Sequence, residues 1–279
     1  MSKTVAVALG TFDGIHKGHL AVLGSAIKSK VDKRVVVTFA APPMKAGAKL
    51  IMPEKIKEEE FFRLGFDEVL LLDFCEVKDM SPTEFLDMLF EKYNVKSVSC
   101  GFNYRFGKSA SGNTKTLKDY CYGHGAECII SDPVYYMDEP ISSTRIRAAI
   151  ENGDIKGANE MLGNSFFLES EVISGNARGR KMGFPTANQI PDKDVAMLKF
   201  GVYKTETELD GKKYNSITNI GIRPTYKTET PIAETHIIGF SGNLYGKTLR
   251  VNFLEFIREE KKFSGLDEVK KQIEKDLAF

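Results

Sequence analysis

Apolar and polar residues follow two different regimes along the chain. In the first half, short apolar runs at residues 5–9, 34–39, 68–72, 97–100 and 127–130 have strand length, and the stretches between them carry the three-to-four-residue apolar spacing of helices, as at residues 20–27. One helix start is marked in detail: Ser81, Pro82 and Glu84 precede Phe85, Leu86, Met88 and Leu89 in a capping-box pattern. Strands alternating with helices predict an open α/β sheet whose parallel strands are joined by crossover helices. After Gly163 the pattern changes. Residues 166–173, 201–208, 213–220, 233–240 and 247–256 are rich in β-branched and aromatic side chains, with turn signals such as Asp210-Gly211 and Ser241-Gly242-Asn243 between them. A run of strands after alternating elements predicts a separate small closed β-barrel. Val269, Ile273 and Leu277 then recur at four-residue spacing and predict a C-terminal helix. The expected organisation is an α/β domain over residues 1–151, a helical connector over 152–163 ending in glycine, and a barrel domain over 164–279.

Composition narrows the partners. Lys and Arg total 39 against 38 acidic residues, so a net charge of +1 gives no global attraction to nucleic acid or to an anionic membrane. Any phosphate binding must be local. No apolar run approaches the roughly 20 residues that span a bilayer, and no leader-like segment opens the chain, so a cytoplasmic protein is expected. The four cysteines contain no C-x-x-C pair, which fits free thiols. Cys121, His124 and Cys128 offer three metal-type ligands across a Gly123/Gly125 turn, for which buried thiols are the simpler reading.

Local phosphate chemistry is concentrated in four stretches. Gly10-Thr11-Phe12-Asp13-Gly14-Ile15-His16-Lys17-Gly18-His19 lies between the first strand and the first helix. Its glycines let backbone amides approach an anion, and the helix start adds unpaired N–H groups. His16 and His19, three apart, share one face, and the periodicity places them toward solvent or a cleft and not in the core. Asn103 and Arg105 sit in an aromatic, basic loop (101–108) after the fourth strand, and Ser142, Ser143 and Thr144 open a helix that carries Arg145 and Arg147. In the second half, Gly175, Arg178, Gly179, Arg180, Lys181 and Gly183 form a glycine-rich basic loop, which from composition alone reads as a flexible basic loop or as a cradle for a triphosphate. Thr186 and Asn188 follow, two apart, so an extended backbone turns a hydroxyl and an amide oxygen to one side, where both reach one Mg2+ or its waters. Glu234 and His236 share a strand face, and a carboxylate there is placed to accept the proton of a bound alcohol.

These stretches carry a family resemblance. G-T-F-D-G-I-H-K-G-H resembles the His-x-Gly-His signature of the nucleotidyltransferase superfamily, and in its wording the bacterial bifunctional riboflavin kinase and FMN adenylyltransferase (FAD synthetase) family. G-F-N-Y-R-F-G-K resembles that family's G-x-N-F-x-F-G segment, and S-S-T-R-I-R its S-S-T-x-x-R signature, with Ser143, Thr144 and Arg147 at the matching positions. G-F-P-T-A-N, Gly201-Val202-Tyr203, the Asn219 to Thr225 stretch, E-T-H, Leu244-Tyr245-Gly246, and Arg258 followed by Phe263 resemble riboflavin kinase motifs in order. The resemblance implies a Rossmann-like nucleotidyltransferase domain followed by a riboflavin kinase-like barrel. It also implies ATP as co-substrate, Mg2+ as cofactor, and riboflavin, FMN and FAD as ligands. Gly10, Phe12, Asp13, Gly14, His16, His19, Ser143, Thr144 and Arg147 would bind the ATP of adenylyl transfer, and Asn103 and Arg105 would form the flavin and nucleotide loop. Gly175, Arg178, Gly179, Lys181, Gly183, Thr186 and Asn188 would bind the ATP of the kinase, Thr186 and Asn188 its metal, and Glu234 would be the base for the ribityl 5′-hydroxyl. One segment departs from the family. Where T-F-D-P-H-P is usual, Thr38-Phe39 are followed by Ala40-Ala41-Pro42-Pro43, without the acid and the histidine. Three readings follow: a bifunctional enzyme, a kinase with an impaired or redox-selective adenylyltransferase, and a flavin-nucleotide-binding protein without turnover.

Overall fold

The computed structural model describes residues 2–39, 49–174, 183–222, 230–261 and 263–277. The chain divides into two compact units, Met1–Ser143 and Thr144–Phe279. The first is built on β1 (Thr4–Leu9), α1 (Lys17–Lys28), β2 (Lys33–Phe39), α2 (Glu54–Arg63), β3 (Glu68–Leu72), α3 (Pro82–Lys92), β4 (Asn94–Gly101), α4 (Thr114–Gly123) and β5 (Glu127–Ser131). Its five strands form a parallel sheet in the order β3-β2-β1-β4-β5, as the alternation predicts. Val5, Val7 and Leu9 of β1 share a buried cluster with Phe85, Leu86 and Leu89 of α3 and Leu117 of α4. Ala6 and Ala8 face the other way, and their small side chains let α1 lie close, with Val22, Leu23 and Ala26 buried. The capping box at Ser81 and Glu84 is present in full: Glu84 N–H donates to Ser81 Oγ (3.2 Å) and Ser81 N–H to Glu84 Oε2 (2.7 Å).

Strand order reverses beside β1. The chain leaves β1 for β2 and β3 on one side and returns to β4 and β5 on the other, so the loops after β1 and β4 diverge and open a crevice at the carboxyl edge. The His16 turn and the 101–108 loop are those two loops.

In the second unit, α5 (Ser143–Asn152) begins at the division, and α6 (Ile155–Leu162) ends at Gly163, whose φ of +86° closes the helix in the left-handed region. Asn159 of α6 docks on the barrel, donating to the Phe253 carbonyl (2.8 Å) and accepting from Phe166 N–H (2.7 Å). Six antiparallel strands close the barrel: β6 (Phe167–Ile173), β7 (Ala187–Gln189), β8 (Gly201–Leu209), β9 (Lys212–Ile222), β10 (Pro231–Ile237) and β11 (Thr248–Arg258), in the order β6-β7-β10-β9-β8-β11. β7 was not expected, and β10 stops at Ile237 where the sequence suggested a strand to residue 240, because Gly239 turns the chain with a φ of +73°. The C-terminal helix is α7 (Leu266–Asp276). Asp276 of α7 holds Arg258 of β11 through both carboxylate oxygens (Nε–Oδ1 3.0 Å, Nη2–Oδ2 2.6 Å). Part of the barrel interior is polar. The hydroxyls of Thr207, Ser216, Thr205, Thr218 and Thr235 lie in one buried line, with successive oxygens 2.8, 2.8, 3.0 and 2.9 Å apart.

Candidate active sites

The turn after β1 is held in an unusual backbone shape. Phe12 (φ +50°) and Ile15 (φ +43°) both adopt left-handed conformations without being glycine, each at a cost of roughly 1–2 kcal/mol. Gly14 (φ +81°) has no room for a side chain, since a Cβ there would lie 2.8 Å from Ile51. Asp13, almost fully buried, accepts from Ile51 N–H (2.8 Å), and Thr38 Oγ1 donates to the Thr11 carbonyl (3.0 Å). β2 and the segment leading into α2 thus hold the turn. Ser143, the first residue of α5, donates to the Asp13 carbonyl (3.1 Å), which brings that hydroxyl to the G-T-F-D-G turn.

His16 caps α1. Its Nδ1 accepts the His19 N–H (3.2 Å), which places the proton of the neutral imidazole on Nε2 and leaves that atom as a donor. The two rings stack with centroids 3.5 Å apart and 17° between planes. Of the expectation that both lie toward solvent or a cleft, exposure to solvent is corrected for His16, which is only 5% exposed, while His19 is partly exposed. Burial pushes the His16 pKa down to about 4. His19 is driven well below its usual value by burial first, then by the charges of His16 and Lys57. Both rings are therefore neutral near pH 7, so toward an anion they can act as hydrogen-bond donors and not as cations. His19 Nδ1 is buried and has no hydrogen-bond partner among the described residues, an atom left ready for a ligand.

Asn103 and Arg105 are exposed in the loop after β4, while Phe106 beneath them enters the core. Thr144 is exposed, and Arg147 is half-buried in the next turn of the same helix. Ala40 to Pro43 lie outside the described residues.

On the barrel, the register assembles a second constellation. Glu234 of β10 stands directly opposite Asn188 of β7 and Asn219 of β9, so the three side chains leave the outer face in one row across adjacent strands. The buried Thr235 and Thr218 next to them point inward. Asn188 Nδ2 donates to the Thr186 carbonyl (3.4 Å), and Asn219 Nδ2 donates to Glu260 Oε1 (3.1 Å). Each amide thereby keeps its carbonyl oxygen as an acceptor, and the row presents oxygen chemistry. His236 Nδ1 bonds the Pro185 carbonyl (2.9 Å), tying β10 to the segment that leads into Thr186. Asn219 and Glu260, 41 positions apart, form a link that sequence spacing alone does not bring together. Gly183 has a φ of +87° in the turn before Thr186. Gly175, Arg178, Gly179 and Lys181 fall outside the described residues, as do Arg223, Pro224 and Thr225.

A crevice at the switch point of a parallel sheet, lined by a neutral His-x-Gly-His turn, has the chemistry of a nucleotide-binding site. Joined to a six-stranded barrel with an outward acid-and-amide row, it defines a two-domain transferase of nucleotides and alcohols. Comparison with known proteins agrees for each half: the FAD synthetase family model matches residues 1–145 and the riboflavin kinase model residues 162–279. The bifunctional riboflavin kinase/FMN adenylyltransferase of Bacillus subtilis is 36% identical, with 97% of this chain and 89% of the relative covered. That of Escherichia coli is 31% identical over 97% of this chain and 90% of the relative. A solved structure described as a macrolide-efflux protein from Streptococcus pneumoniae is 33% identical, covers 99% of this chain and 93% of its own, and superposes with a TM-score of 0.88. Among the described residues of this chain no helix is long and apolar enough to cross a membrane. The chain belongs to the bifunctional riboflavin kinase/FMN adenylyltransferase family.

Proposed function

We propose that this chain makes FAD from riboflavin in two steps at two separate sites. In the barrel, the γ-phosphoryl group of ATP passes to the ribityl 5′-hydroxyl of riboflavin, giving FMN. In the α/β domain, the FMN phosphate attacks the α-phosphorus of a second ATP, giving FAD and pyrophosphate. The observation that carries the first step is the row Asn188, Glu234 and Asn219 on one face of three paired strands. Glu234 accepts the proton of the attacking hydroxyl, a contribution of roughly a hundredfold to ten-thousandfold. Mg2+ fits this donor set, since the Thr186 hydroxyl and the Asn188 amide oxygen are hard ligands, and when bound it neutralises charge on the ATP phosphates.

The second step needs no protein nucleophile, because the FMN phosphate is already anionic. His16, His19 and Ser143 orient the triphosphate at the β1 turn, and Thr144 and Arg147 extend that role along α5. Asn103 and Arg105 face the flavin nucleotide. The reaction runs in a soluble, cytoplasmic setting. The Ala40 to Pro43 segment favours a second reading, in which adenylyl transfer is weakened or confined to reduced flavin. Purified protein is incubated with Mg-ATP and riboflavin or FMN, oxidised and dithionite-reduced in parallel, and the flavins are separated by chromatography. Glu234→Gln is expected to stop FMN formation while FAD still forms from supplied FMN. Loss of both refutes separate sites, and FAD only from reduced FMN supports the second reading. Absence of any turnover by the unmodified protein refutes the enzymatic assignment.

A further inference from the structure

The adenylyl-transfer half contains a buried cation that none of its motifs names. Lys57 of α2 is 2% exposed. Phe61, four residues on and so on the same helix face, meets Phe12 edge-on at 5.8 Å, and Phe12 meets His19 edge-on at 5.4 Å. Lys57 therefore faces the histidine turn. Its ammonium donates to the carbonyl of Phe39 (3.2 Å), the last residue of β2 and so part of the carboxyl edge where the crevice opens. Among the described residues that neutral carbonyl is its hydrogen-bond partner, and no carboxylate lies within ion-pair distance. The nearby Asp13 carboxylate is turned to Ile51 N–H.

Burying an ammonium without a bonded carboxylate is expensive, and a folded protein retains such a group where a ligand supplies the missing charge. Burial lowers the Lys57 pKa, and the charges of Glu54 and Asp13 act to raise it again. The two imidazoles of the turn are neutral, so they bring no positive charge of their own to a triphosphate. His19, close enough to feel the Lys57 charge, has a buried Nδ1 that is unpartnered among the described residues.

We propose that Lys57 is the fixed cation of the adenylyl-transfer site, donating to a phosphate oxygen of ATP and holding the departing pyrophosphate. The inference rests on the two-step reading above. As the FMN phosphate oxygen bonds to the α-phosphorus, the bond from that phosphorus to the bridging oxygen breaks and its electron pair leaves with pyrophosphate. Lys57 keeps its proton throughout and offsets the charge gathering on the leaving oxygens.

Lys57→Met retains the apolar stem and removes the charge. In FAD formation from FMN, kcat/KM for ATP is expected to fall about a hundredfold, and inhibition by added pyrophosphate to weaken with it, while riboflavin phosphorylation by the barrel stays unchanged. A purely structural role would not move the pyrophosphate inhibition. Should the variant fail to fold, a crystal structure of the unmodified protein with a non-hydrolysable ATP analogue decides, the expected result being Lys57 Nζ within hydrogen-bond distance of a phosphate oxygen. Unchanged ATP kinetics and pyrophosphate inhibition in Lys57→Met overturn the proposal, as does a complex whose phosphates lie away from Nζ. If the unmodified protein forms no FAD, it is the adenylyltransferase reading that fails, and the analogue complex still tests Lys57.

Discussion

Replacing His16 by asparagine and, separately, by alanine distinguishes the two tasks this residue performs. As N-cap of α1 it satisfies the His19 N–H through Nδ1 at 3.2 Å, and in the proposed adenylyl transfer its imidazole would offer Nε2–H to a phosphate. Asparagine can accept the same N–H through its side-chain oxygen, so it keeps the cap and loses the imidazole; alanine loses both. Loss of the cap costs about 1 kcal/mol, which for a unit of this size lowers the melting temperature by about 3 °C. His16→Asn should therefore melt close to the unmodified protein in this respect and His16→Ala a few degrees below His16→Asn. Removing a preorganised donor to the transferring phosphates costs roughly a hundredfold in kcat. Both variants should lose FAD formation from FMN to that extent, with riboflavin phosphorylation as the internal control for folding. The assay is chromatographic initial rates beside calorimetric melting. Recovery of FAD formation together with stability in His16→Asn would refute the reasoning, because the imidazole would then serve only as a cap.

Acid should destabilise the α/β unit in a window set by the same residue. The folded His16 titrates near 4 and an unfolded histidine near 6.5, so between those values the unfolded chain binds a proton that the folded one refuses. Stability is lost as pH falls from about 6.5 to 4, by about 3 kcal/mol from this group, and melting of His16→Asn from pH 7.5 to 4.5 should show a correspondingly shallower decline. In the barrel, Thr205→Val deletes a hydroxyl bonded to Ser216 and Thr218, whereas Thr207→Val deletes one bonded only to Ser216 within the hydroxyl line. The first should cost about 2 kcal/mol and the second about 1, read from the urea midpoint of kinase activity; equal costs would contradict a connected line.

Much of the scaffold was legible because its signals are local. The strand runs of the sheet, the Ser81/Glu84 cap and the alternation through β8 and β9 each lie within a few consecutive residues. β7 escaped because it is three residues long and is recognisable only by its partners, β6 and β10. The burial of His16 was misread because it depends on Phe12 and Ile15 taking left-handed backbone, which neither residue type announces. Lys57 was invisible for a related reason. Its helix reads E-K-I-K-E-E-E-F-F-R, a sequence in which any lysine suggests a solvated face, and only the packing of Phe61 on Phe12 reveals that this one points inward. In the barrel, type and spacing suggest Thr186 and Asn188, and the family resemblance singles out Glu234; the register sets Asn188 and Glu234 side by side. Asn219 joined them through register, and Glu260 through a contact that closes only when β11 returns beside β8.

The line of hydroxyls inside the barrel has a sense as well as a strength. Each O–H can point along the line toward Thr235 or back toward Thr207, and once one is set its neighbours are set with it, so the row carries a single collective polarity. Walled off from water, it responds to a field by reversing or not at all. Its far end lies on β10, the strand that presents Glu234 on the opposite face. The barrel interior is thus an orientable dipole set behind Glu234, and the direction it adopts is part of the electrostatic surroundings of that carboxylate.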